Sequence, residues 1–110
     1  MKRITPSEMQ TMFNEGTYWE RAQRGEFSVV ALEDRHPTLT AANEPHCTHS
    51  QMLSYRDSSG NEVARVHQYL RPDGQIGASG KPDPKRLYKD GELYRLQKKP
   101  AESKTTRRSS

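Results

Sequence analysis

The chain has 110 residues, enough for one domain of ordinary size, and only 30% of them are hydrophobic, well below the roughly 45–50% usual in globular chains. No apolar run approaches the ~20 residues needed to span a bilayer, the amino terminus lacks the apolar stretch of a secretory signal, and a single cysteine, Cys47, excludes an intrachain disulfide; the expectation is a soluble cytoplasmic protein with no membrane contact. The net charge of +4 equals that of residues 97–110 alone, because residues 1–96 carry 13 basic and 13 acidic side chains, so the high pI does not describe a uniformly basic body.

Two short helices open the chain. Thr5-Pro6-Ser7-Glu8 supplies a cap residue, a proline at the first helical position and a glutamate three residues after the cap. Met9, Met12 and Phe13 follow at helical spacing, and Gly16 stops the run. Thr17-Tyr18-Trp19-Glu20 repeats the capping pattern, with Gly25 as a second stop. The helices are expected over residues 6–15 and 18–24. Both are too short to be stable alone, so they must dock on an apolar surface.

A small antiparallel sheet is expected to provide it. Residues 27–33 are rich in β-formers. Residues 37–50 are mostly polar and read as a long loop. Residues 51–57 form a second strand, Ser58-Ser59-Gly60-Asn61 a turn, and residues 62–71 a third strand. Ala64, Val66 and Leu70 share one face of that strand, with Gln68 the exception. Val63, Arg65, His67, Tyr69 and Arg71 share the other. Pro72-Asp73-Gly74 is a turn, and residues 75–77 suggest a brief returning strand. The prolines at 82 and 84 argue against a central strand, and Asp83-Pro84 suggests one helical turn over 84–88. Asp90-Gly91 signals a hairpin, and residues 93–96 a last strand. The whole is an α+β domain over 1–96, two helices on about four antiparallel strands, with a basic disordered tail over 97–110.

Charge is uneven within the body. Residues 1–62 total −3 and residues 63–89 total +4. The row Arg65, His67, Tyr69, Arg71 is the best candidate site, with Lys81, Lys85 and Arg86 following a turn. Cationic and aromatic groups on one sheet face suit phosphate neutralisation and stacking. The plainer reading is a solvated sheet face. Gly77-Ala78-Ser79-Gly80-Lys81 is not a Walker loop, because the glycine spacing is wrong and Pro82 follows the lysine; it leaves a backbone anion nest or a simple sharp turn. His46-Cys47-Thr48-His49 is half of a zinc-ligand pattern. No metal is expected, and Cys47 reads as an ordinary loop cysteine. No hydrolase elbow, kinase signature or dinucleotide fingerprint is present, and no cofactor is expected.

The segment over 51–96, with VHQYLRPDG, GASGKPDPK, DG and YRL in order, resembles a family of small bacterial proteins, some of them phage-associated. The resemblance implies no catalytic role. It suits a small inhibitor or accessory factor in conflict with mobile elements. The leading expectation is a non-enzymatic binding module that meets a protein or nucleic acid through residues 62–86, using Arg65, His67, Tyr69, Arg71, Lys81, Lys85 and Arg86. The alternative is a metal-independent ribonuclease toxin built on His67, Tyr69, Arg65 and Lys81. A third reading has an exposed sheet edge adding a strand to a partner.

Overall fold

The computed structural model describes residues 1–36 and 43–98. The expected loop over 37–50 lies partly, and the expected tail over 97–110 mostly, outside the described residues. In chain order the elements are β1 (Lys2–Ile4), α1 (Pro6–Glu15), α2 (Tyr18–Gln23), β2 (Ser28–Arg35), β3 (His49–Arg56), β4 (Glu62–Leu70), β5 (Asp83–Lys89) and β6 (Glu92–Leu96). The fold is α+β. Six strands form one sheet in the order β1-β6-β5-β4-β3-β2, not the four expected. It is mixed: β1 runs parallel to β6, and every other neighbour is antiparallel.

The amino-terminal capping box forms as its sequence dictates. The Thr5 hydroxyl accepts from the Glu8 backbone N–H at 3.0 Å, and the Thr5 N–H donates to the Glu8 carboxylate at 2.9 Å. The Thr5 backbone N–H, and after it the Thr5 hydroxyl, hold the Glu8 carboxyl below its ordinary range. The second box does not form. Thr17 is left-handed at φ 49° and caps nothing with its side chain; its hydroxyl donates to the Gly16 carbonyl instead. Glu20, the other half of that expected box, reaches Lys81.

One face of the sheet carries the core. Met9 and Phe13 from α1, and Tyr18 and Ala22 from α2, pack on Leu53, Tyr55, Ala64, Val66 and Leu87. Register explains why these strand residues meet: Tyr55, Ala64, Leu87 and Tyr94 lie side by side across β3, β4, β5 and β6. The Phe13 ring stacks on Tyr18 at 5.8 Å and leans on Tyr55 at 6.4 Å. Truncating so central a ring to alanine ordinarily costs about 3–5 kcal/mol.

β5 overturns two expectations. Residues 84–88 are strand, not a helical turn, and the strand is internal despite Pro84. The reason is a bulge. Arg65 faces Arg86 while Val66 faces Pro84, leaving Lys85 as the extra residue. A bulge is where a sheet tolerates a proline, and here the ring is buried. β5 and β6 join at Asp90-Gly91, both with positive φ (51° and 78°), the geometry of a two-residue hairpin turn. The returning strand after Pro72-Asp73-Gly74 shrinks to one bridge, Leu70 to Ile76.

Candidate functional site

The helices cover one face of the sheet and leave the other open. Cross-strand partners point to the same side, so the register lists what the open face presents. Arg3, Arg95, Arg86 and Arg65 are consecutive partners across β1, β6, β5 and β4. Four arginines therefore stand in one line. At the usual interstrand spacing the line is about 14 Å long.

Like charges directly opposite one another destabilise a sheet, so the row needs a counterweight. At one end there is one. Arg65 Nε donates to Glu62 at 3.1 Å, and Glu62 also accepts from the fully buried Ser54 hydroxyl at 2.6 Å. Ser54 in turn accepts from Arg56 Nε at 3.2 Å. At the other end Arg3 donates to the Leu96 carbonyl, a neutral partner. Arg86 and Arg95 make no ion pair with any described residue.

His67 and Tyr69 flank the row on the same face. Their rings meet edge to face at 4.8 Å. One His67 nitrogen, Nε2, lies 2.9 Å from the Ser50 hydroxyl. Burial lowers the His67 pKa, and the Lys85 charge lowers it further, against smaller upward pulls from Asp83 and Glu33. The imidazole is therefore neutral at physiological pH. Lys85 reaches this environment through the bulge of β5.

The remaining expected site residues lie elsewhere. Lys81 contacts α2, on the helix side of the sheet: its ammonium is 3.3 Å from Glu20 and 5.4 Å from the Trp19 ring centroid. The expected set His67, Tyr69, Arg65 and Lys81 is thus split between two faces. Arg71 is neutralised. Its Nε donates at 2.8 Å to Glu44, whose side chain is only 5% exposed. The other Glu44 oxygen accepts from the Ala78 N–H at 3.2 Å. The glycine-rich loop is therefore an anion cradle, and the anion it holds is the chain's own carboxylate. A Cβ at Gly77 would overlap the Glu44 carboxyl, so a larger residue there would displace that side chain from its present contacts. Arg71 holds that carboxyl below its usual range.

His46-Cys47-Thr48-His49 also resolves into local contacts. His49 Nδ1 meets Asp34 at 2.7 Å and its ring stacks on His36 at 4.2 Å. Among the described residues no three His, Cys, Asp or Glu side chains group as metal ligands. No helix among the described residues is long and apolar enough to cross a membrane.

Arg3, Arg95 and Glu44 are the residues that sequence reasoning missed. One signal was available. A two-residue turn at 90–91 pairs 89 with 92, and hence 86 with 95. No comparable local signal places Arg3 beside Arg95, because that pairing joins the two ends of the fold. Comparison of the chain with protein-family models, curated proteins and solved structures gave no match.

Proposed function

We propose that the protein is a binding module that docks the phosphate backbone of a single-stranded nucleic acid on the open face of its sheet. The observation that carries this reading is the arginine row, in which Arg86 and Arg95 stand in register with no carboxylate partner among the described residues. Arginine presents paired N–H donors that match phosphate oxygens. Tyr69 and His67 beside the row offer rings for bases, the combination used by sheet surfaces that bind single strands. A row retained at a cost to sheet stability is better explained by a ligand than by folding.

Fluorescence anisotropy with labelled single-stranded RNA and DNA tests this directly. Each phosphate contact to a single strand contributes a slope of about −0.7 in log K against log salt. The double variant Arg86→Ala/Arg95→Ala should weaken binding and lower that slope by roughly 1.4. A chain lacking residues 99–110 serves as the control for nonspecific attraction. If the double variant binds with the affinity and slope of the native chain, the arginine row is not the binding surface.

One observation favours a second reading, cleavage of the bound strand. Neutral His67 beside the Ser50 hydroxyl, next to a phosphate-binding row, has the makings of a general base for ribonucleolysis. Lys81 takes no part, being on the other face. Metal-independent cleavage of RNA that is lost in His67→Ala would establish this reading. Binding without cleavage, retained in His67→Ala, would leave the binding module alone.

A further inference from the structure

Gln68 is the polar residue that breaks the apolar face of β4, and its surroundings give it a task. It lines a cleft of about 510 Å³ between α2, the β2–β3–β4 end of the sheet and the loop after Gly74. That volume is in the range of small-molecule sites. Trp19, Leu53, Leu70 and Ile76 supply apolar wall, and no charged side chain lines the cleft. Beside Trp19, Lys81 and Glu20 pair with each other at 3.3 Å.

The amide of Gln68 has a fixed orientation. Asp34, ionised because Gln51 and His49 hold its pKa down, can only accept hydrogen bonds. It accepts from His49 Nδ1 at 2.7 Å and from Gln51 Nε2 at 3.1 Å. Gln51 must therefore turn its oxygen to Gln68, whose Nε2 donates to it at 2.9 Å. This relay leaves the Gln68 carbonyl oxygen as an acceptor with no donor among the described residues. Tyr55 also lines the cleft. It is 2% exposed, its hydroxyl makes no hydrogen bond with a described residue, and burial pushes its pKa up to about 12, so it remains a neutral donor. The hydroxyl is not sealed in, since the buried side-chain polar atom left without a partner among the described residues is Thr48 Oγ1.

We propose that this cleft binds a nucleobase or nucleoside, a neutral planar ring with hydrogen-bond donor and acceptor on one edge. Gln68 accepts from the base, Tyr55 donates to it and Trp19 provides an aromatic wall. The cleft lies on the helix side of the sheet, opposite the arginine row, so the two sites stand or fall separately. Gln51 and Asp34 are positioning residues, which act through Gln68.

Trp19 is the only tryptophan of the chain, so its fluorescence reports on the cleft. The full chain is titrated with adenosine, guanosine, cytidine and uridine, with calorimetry in parallel. At least one nucleoside should give saturable quenching and a matching heat. Gln68→Met should weaken that binding tenfold or more, and Tyr55→Phe at least threefold. Arg86→Ala/Arg95→Ala should leave it unchanged. Should Gln68→Met unfold the chain, Tyr55→Phe, which removes a single oxygen, carries the test. The proposal is overturned if no nucleoside gives a saturable signal into the millimolar range, or if the folded cleft variants bind as the native chain does.

Discussion

At His67, burial and the charge of Lys85 disfavour the imidazolium, while Asp83 and Glu33 favour it. The first two prevail, so the folded pKa lies below the ordinary value of 6.5. The sign of the consequence follows from proton linkage. Between the ordinary value and the lower folded one, the unfolded chain binds a proton that the folded chain does not. Stability is therefore complete above about pH 6.5 and declines as pH falls through that window. Denaturant melts of the native chain and of His67→Gln at pH 7.5 and pH 5.5 check this, with the native chain expected to lose more stability on acidification. In an NMR titration, Lys85→Gln should move the His67 midpoint upward. A midpoint at or above the ordinary value in the native chain would contradict both the burial and the environment assigned to Lys85.

At the scale of elements, the sequence was legible where local chemistry decides the outcome. The Thr5–Glu8 box, the apolar stripe of Met9 and Phe13 and the Asp90-Gly91 hairpin each depend on a few adjacent residues, and each stands as read. The alternation of β4 placed Ala64 and Val66 in the core and His67 and Tyr69 on the open face. Legibility failed where partners are remote. β1 is three residues long and exists because β6 offers it an edge. β5 survives its proline because β4 accommodates a bulge. Gly16 failed for another reason: it resembles a left-handed helix stop, yet its φ is −80°. It is glycine because a Cβ would collide with the Tyr18 ring, the ring that stacks on Phe13. Gly25 is the contrasting case, with φ +83° and open space around the position of a Cβ. Gly16→Ala should therefore cost about 1–3 kcal/mol through overpacking, and Gly25→Ala about 1–2 kcal/mol through backbone strain. Near-ultraviolet circular dichroism separates the mechanisms. Gly16→Ala should change the tyrosine signal and Gly25→Ala should not.

Across the whole molecule, the two faces of the sheet divide the labour of charge and packing. The helix face buries its apolar residues and pairs Lys81 with Glu20, while Arg71, just past the end of β4, is paired with Glu44. The open face gathers Arg3, Arg95, Arg86 and Arg65, and among the described residues only Arg65 of the four has a carboxylate partner. If the row is kept for a ligand, the unliganded fold must carry its repulsion. Each directly opposed like-charged pair costs about 0.2–1 kcal/mol, and 1 kcal/mol moves the midpoint of a domain this size by roughly 4–8 °C. Arg86→Gln/Arg95→Gln should therefore melt a few degrees higher than the native chain at low ionic strength. Salt should erase the difference. The screening length falls from about 30 Å at 0.01 M to about 8 Å at 0.15 M. Calorimetry at the two salt concentrations reads both effects. The surface ion pairs elsewhere weaken with salt in both proteins, contribute little, and cancel in the comparison. A double variant that melts below the native chain by a margin independent of salt would mean that the arginines stabilise the sheet through their aliphatic stems, and the row would then be architecture and not a docking surface.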